Sequence, residues 1–117
     1  MSEQTTPKQI KLRQASACLE LHYDNECFDL SAEFLRVHSP SAEVQGHGNP
    51  ILQTGKQHVR IDAIEGVGNY GIKLVFSDGH DTGIYTWSLL RKFCLERDEL
   101  WQAYLDRLNR AGASRTS

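Results

Sequence analysis

Apolar and polar side chains alternate along the first third of the chain. Ile10 and Leu12 flank Lys11, and Leu19, Leu21 and Tyr23 are separated by Glu20 and His22. A period of two is that of a strand with one buried face. Asp24-Asn25 then reads as a two-residue hairpin loop. That register sets Tyr23 opposite Glu26, Leu21 opposite Phe28 and Leu19 opposite Leu30, so the apolar residues collect on one face. It also sets His22 beside Cys27 on the other face, where two residues are too few to hold a metal and read as ordinary surface. Ser31 is placed to cap a short helix over 32–36, with Glu33 near its positive end, and Pro40 stops it.

The segment 37–56 has no such period. It holds His38, Ser39, Pro40, Ser41, Gly46, His47, Gly48, Asn49, Pro50 and Gly55, and is longer than a plain connector requires. Long loops on compact domains are frequent sites of function. Alternation returns with Val59, Ile61 and Ala63 against Arg60 and Asp62, and again with Tyr70, Ile72, Leu74 and Phe76. A turn at Ser77-Asp78-Gly79 follows. A two-residue loop there puts Ile84 on the wrong face. A three-residue loop with Gly79 as the bulge residue pairs Ile72 with Ile84, Leu74 with Thr82 and Phe76 with His80, and this is the expected register. It turns His80 inward, where an imidazole needs a hydrogen-bond partner or a metal.

From Trp87 to Arg110 the apolar residues recur at three- and four-residue steps. The run Glu96-Arg97-Asp98-Glu99 falls where that spacing changes phase, which leaves one bent helix and two successive helices both open, with Gly112 ending the last turn. Trp101 and Tyr104 are expected to cover the sheet. The pattern as a whole predicts an α+β fold: antiparallel strands in two hairpins, a short helix after the first, and C-terminal helices packed on the sheet. A single domain over 9–110 lies between a disordered N-terminus, 1–8, and a disordered tail, 111–117.

Composition narrows the function classes. With 117 residues one domain is expected, and a net charge of -2 carries no basic surplus for nucleic acid. The three cysteines, Cys18, Cys27 and Cys94, are an odd number without a Cys-x-x-Cys pair, which suits a reducing, cytoplasmic setting. No apolar run is long enough for a membrane partner. Gly66-Val67-Gly68-Asn69-Tyr70-Gly71 has the spacing of a dinucleotide fingerprint, but a strand follows where a helix is required. Asp78, His80 and Asp81 are acid–base groups with no nucleophile placed beside them. No catalytic residue is assigned.

Three stretches carry a family resemblance: Leu35-Arg36-Val37-His38-Ser39-Pro40-Ser41-Ala42-Glu43-Val44-Gln45-Gly46-His47-Gly48, Gly66-Val67-Gly68-Asn69-Tyr70, and Phe76-Ser77-Asp78-Gly79-His80-Asp81-Thr82-Gly83-Ile84-Tyr85-Thr86-Trp87. Together the chain resembles the gamma-butyrobetaine hydroxylase-like N-terminal domain family. The resemblance implies a compact domain of antiparallel strands and packed helices, free-standing versions of which are mostly of unknown function. In the oxygenases of that name it implies a structural zinc held by three cysteines and one histidine. Ser39, Ser41 and Val44 stand at the cysteine positions here and His80 at the histidine position. The zinc site is therefore expected to be lost, and hydroxylase activity does not transfer with this module, so the chain is expected not to be an enzyme.

One expectation for the loop is purely structural, a segment pinned by serine and histidine hydrogen bonds to His80, and two are functional uses. A non-catalytic binding or interaction domain would use Arg36, His38, Ser39, Ser41, His47 and His80 to hold an unidentified protein or a small polar ligand. Alternatively, His38, Glu43, His47 and His80 form a replacement site for zinc or iron, in an accessory domain tied to iron or iron–sulfur metabolism.

Overall fold

The computed structural model describes residues 6–13, 15, 17–46 and 50–116. The first alternating stretch folds as β1 (Gln9–Arg13), β2 (Cys18–His22) and β3 (Cys27–Ser31), an antiparallel sheet in that order. Leu19 pairs with Leu30 and Leu21 with Phe28, and the Tyr23 amide donates to the Glu26 carbonyl at 2.8 Å across the Asp24-Asn25 turn. This is the expected register. Its consequence is a face on which Leu19, Leu21 and Leu30 are fully buried.

Helix α1 (Ala32–Val37) starts where Ser31 caps it, the hydroxyl accepting from the Phe34 amide at 2.9 Å. Every residue of α1 is buried, Glu33 and Arg36 included, so both charges need partners inside the fold. The loop beyond it is more regular than its composition suggests. A four-residue helix, α2 (Ala42–Gln45), forms within it and ends on Gly46 at a φ of 55°.

The second sheet consists of β4 (Ile61–Val67), β5 (Gly71–Phe76) and β6 (Ile84–Thr86), again antiparallel and in sequence order. Two details differ from the simple alternation. A bulge between Ile61 and Ala63 shifts β4, so that Ile64 faces Leu74. The turn itself is the expected one: Gly79 has a φ of 92°, its amide donates to the Phe76 carbonyl at 3.0 Å, and the Phe76 amide donates to the His80 carbonyl at 2.9 Å. The expected pairing of Ile72 with Ile84 is corrected by one position, however, because Ile72 pairs with Tyr85 and Lys73 with Ile84. Tyr85 is completely buried and its hydroxyl donates to the Leu35 carbonyl at 2.6 Å, whereas Ile84 is 41% exposed. Burying the larger ring with its phenol satisfied outweighs burying Ile84. Gly83 lets the Ser39 loop pack closely against this strand, since a Cβ there would sit 2.5 Å from Ser39 Oγ.

One continuous 25-residue helix, α3 (Trp87–Ala111), closes the fold, capped by Thr86 and ended by Gly112 at a φ of 65°. The phase change at Glu96–Glu99 reflects two separate contacts on one rod. Leu90, Phe93 and Cys94 join the main core with both sheets, while Tyr104 and Leu108 pack with Val37 in a second cluster. Trp101 packs against both clusters, whereas Tyr104, also expected over the sheet, packs only in the second, against α1 and the loop. No helix among the described residues is long and apolar enough to cross a membrane.

Beyond α3 the chain turns back along the loop. The Gly55 and Gln57 amides donate to the Ser114 and Arg115 carbonyls at 3.1 Å each, so the segment read from composition as a loose tail is held as far as these contacts reach. Residues 1–5 of the N-terminus and Ser117 lie outside the described residues. Arg115 makes a two-pronged bond to Glu33, 2.8 Å through Nε and 2.7 Å through a terminal nitrogen, and stacks over Trp101. Composition cannot reveal such a pair. Arg115→Ala is expected to leave a Glu33 carboxylate buried without its cation and to lower the unfolding free energy by about 1–3 kcal/mol. A lower urea midpoint at an unchanged slope is the readout, and Glu33→Gln in the same chain should recover part of the loss.

Candidate functional site

The end of α1, the start of α2 and the Asp78-Gly79 turn converge on one buried point. Ser39, with no accessible surface, and His80, 8% exposed, meet there, with Ser39 Oγ 2.8 Å from His80 Nε2. The Ser41 amide donates to Ser39 Oγ at 3.2 Å, and Gln45 donates to the Ser39 carbonyl at 2.8 Å. On the far side of the imidazole, Nδ1 lies 3.3 Å from Glu43 Oε1, which also accepts from the Thr82 hydroxyl at 2.9 Å. With the ring proton on Nδ1, toward the Glu43 carboxylate, the Ser39 hydroxyl donates to Nε2.

Asp78 anchors this arrangement. Its Oδ2 accepts from Arg36 Nε at 2.9 Å and Lys56 Nζ at 2.7 Å, and its Oδ1 from the His80 amide at 3.1 Å. Arg36 reaches on to Gln53 at 3.0 Å. Burial alone would push the Asp78 carboxyl up, but the bonds from Lys56 and the His80 amide and the Arg36 charge outweigh it and hold the pKa at about 2. For His80, burial and then the Arg36 charge lower the pKa against the pull of Glu43 and Asp78, which favours the neutral ring. His38 is lowered too, by burial, although its Nδ1 bonds the Phe34 carbonyl at 2.8 Å.

Serine, imidazole and carboxylate are thus connected in the order of a hydrolytic triad, but with accessibility inverted. The nucleophile position, Ser39, is fully buried while the Glu43 side chain is 67% exposed. A relay of this kind needs its serine at a substrate surface. Here it fixes the loop.

A cleft of about 360 Å³ opens on the other side of the same loop. Val37, Pro40, Val44, Pro50, Ile51, Leu89 and Phe93 form its apolar lining, with His38, Gln45, Lys92 and Arg107 as polar members. The α3 residues in it were not legible as site residues, because helical spacing defines a face without saying what lies over it.

The family profile described as gamma-butyrobetaine hydroxylase-like, N-terminal, matches residues 10–91, which takes in the loop, the turn and both sheets. The chain belongs to the gamma-butyrobetaine hydroxylase-like N-terminal domain family. Two solved relatives of this family member, both described only as NMR solution structures of a protein, are 53% and 54% identical. The first has a TM-score of 0.83 and the match covers 93% of this chain and 88% of that one; the second has 0.79, with 98% and 90% covered. A crystal structure from Acidithiobacillus ferrooxidans, described as a protein of unknown function in the DUF971 family, is 38% identical with a TM-score of 0.63, the match covering 75% of this chain and 91% of that one. No curated protein matches the sequence.

Structural zinc, which the resemblance implies for this family's oxygenases, does not fit the donor set here. The Ser39 hydroxyl is committed to His80, Val44 has no lone pair to offer, and Ser41 Oγ is buried without a partner. Among the described members of the replacement set, only two come together. Glu43 and His80 meet, but His38 turns to the Phe34 carbonyl and stacks on Phe34 at a centroid distance of 4.4 Å, and His47 lies outside the described residues. Of the residues expected to bind, Arg36, Ser39, Ser41 and His80 are buried within the domain, and His38 lines the cleft.

Ser39→Ala is expected to cost about 1–3 kcal/mol by leaving His80 and the Ser41 amide unpaired, while Ser41→Ala, which removes an unpaired buried hydroxyl, should be neutral or stabilising. Denaturant titration of the two variants gives the comparison. Stability should also fall in two steps on acidification. Below about pH 6.5 the unfolded chain takes up protons at histidine that folded His38 and His80 resist, so stability drops as pH falls. The Asp78 step comes lower, between about pH 4 and 2, as its unfolded and then folded carboxyl protonates. Urea midpoints against pH read both steps, and His80→Gln should shallow the first.

Proposed function

We propose that this domain is a non-catalytic binding module whose contact surface is the cleft between the 37–51 segment and α3, working in a reducing, cytoplasmic setting. The observation that carries the reading is the lining of that cleft: apolar side chains from loop and helix beside Lys92 and Arg107, which have no ion-pair partner among the described residues. Ile51, 55% exposed, stands at its edge. Such a surface suits a partner protein's segment that offers an apolar side chain next to a carboxylate.

The buried polar groups support this role indirectly. Arg36, Asp78, Ser39 and His80 spend their hydrogen bonds on one another, which stiffens one wall of the cleft before any partner arrives. A wall already ordered loses little entropy on binding. Of the residues first expected to touch a ligand, His38 keeps that role and Arg36, Ser39, Ser41 and His80 act behind it as positioning residues.

Titrating isotope-labelled protein with short acidic peptides containing Leu or Phe tests the proposal. Amide shifts are expected at Val44, Ile51, Leu89, Lys92 and Phe93, and Lys92→Glu with Arg107→Glu should weaken binding at least tenfold, more so at low salt. Shifts confined to another face, or none, would reject the cleft.

A further inference from the structure

Away from the loop, the polar face of the first sheet gathers three different donors. Glu20 and His22 lie two residues apart on β2 and so share a face, and Cys27 stands directly opposite His22 on β3. His22 Nε2 is 2.6 Å from Glu20 Oε1 and 3.8 Å from Cys27 Sγ, and the three donor atoms all lie within 4.8 Å of one another. At the level of the hairpin alone, His22 and Cys27 were too few for a metal. The third donor changes that count.

Imidazole, thiolate and carboxylate together are the ligand set of borderline divalent metals, zinc above all. Tetrahedral bonds of about 2.0–2.3 Å place neighbouring donors roughly 3.3–3.6 Å apart. The His22–Cys27 spacing is close to this already, and the Glu20 carboxylate has only to swing outward by somewhat under an ångström. The scaffold beneath is rigid: Leu19, Leu21 and Leu30, on the opposite face of the same strands, are fully buried, so no loop has to be ordered on binding. Two cations oppose the ion. Arg13 Nε lies 3.3 Å from the same Glu20 oxygen and Lys11 is the cross-strand neighbour of Glu20, while Asp29, facing Glu20 from β3, adds a second carboxylate. The Arg13 side chain is 52% exposed, and an ion pair so wet is exchanged at little cost.

We propose that Glu20, His22 and Cys27 form a site for one zinc-class divalent ion, with three protein ligands and a fourth position open to water or an outside donor. Binding forms the metal–sulfur bond and breaks the S–H bond of Cys27, whose proton leaves to solvent. The His22 proton sits on Nδ1 in the bound form, which frees the Nε2 lone pair for the metal. The site shares no residue with the cleft, so either proposal stands or falls without the other.

Cobalt(II) titration of chelator-stripped, tag-free protein is the test. One equivalent should bind with a thiolate-to-cobalt charge-transfer band that zinc displaces. Cys27→Ser should abolish the band; His22→Ala and Glu20→Gln should each weaken binding at least tenfold, and His58→Ala, at an exposed histidine outside the cluster, should leave it intact. Far-ultraviolet circular dichroism checks that each variant is folded, and Glu20→Gln, isosteric with the native residue, is the safeguard if a larger change disturbs the hairpin. No stoichiometric cobalt, or a charge-transfer band that survives Cys27→Ser, would overturn the proposal.

Discussion

A single carboxylate, that of Asp78, joins three parts of the chain that are far apart in sequence. It receives Arg36 from α1, Lys56 from the connection to β4 and the backbone of its own turn at His80. Arg36 is only 7% exposed, and a guanidinium taken so far from water persists only beside a well-bonded anion. The pair therefore determines where α1 sits relative to the second sheet. It also determines where His80 points, because the Asp78 side chain bonds the His80 amide.

With His80 placed, the loop after α1 has a partner to close upon. Ser39 meets the imidazole, Glu43 approaches its other nitrogen, and α2 forms between the two contacts. The same four family positions that the resemblance associates with zinc are held here by a hydroxyl, an imidazole and apolar packing. Hydrogen bonds substitute for metal bonds well enough to bury Ser39 completely, but not perfectly. Ser41 keeps a hydroxyl with no partner, the local cost of a polar side chain at a position that needs no polarity. In the Ser39–His80–Glu43 chain the serine is inside and the acid outside, so its hydroxyl is spent on fixing the loop.

Much of the fold was legible along the chain because strand and helix periods are local properties. The first hairpin, its register, the Ser31 cap and the Gly79 turn all follow from residues within a few positions of one another. The inward turn of His80 was legible for the same reason. The long helix was only half legible: its apolar stripe was visible, but whether the phase change meant a break depended on what the two halves contact.

By itself, then, the sequence determined the element types, the two sheets' local pairing tendencies, the glycine-bearing turn and the residues, Ser39, Ser41 and Val44, that stand where the resemblance implies cysteines. Tertiary structure decided the rest. Tyr85 displaced Ile84 from the core because its hydroxyl found the Leu35 carbonyl, fifty residues away, which no alternation rule can weigh. The Glu33–Arg115 bond tied down the tail, the cleft arose where α3 runs beneath the loop, and Glu20 joined His22 and Cys27 through a side-chain rotamer. In each case the deciding energy is a contact between distant or freely rotating groups, which a one-dimensional pattern does not contain.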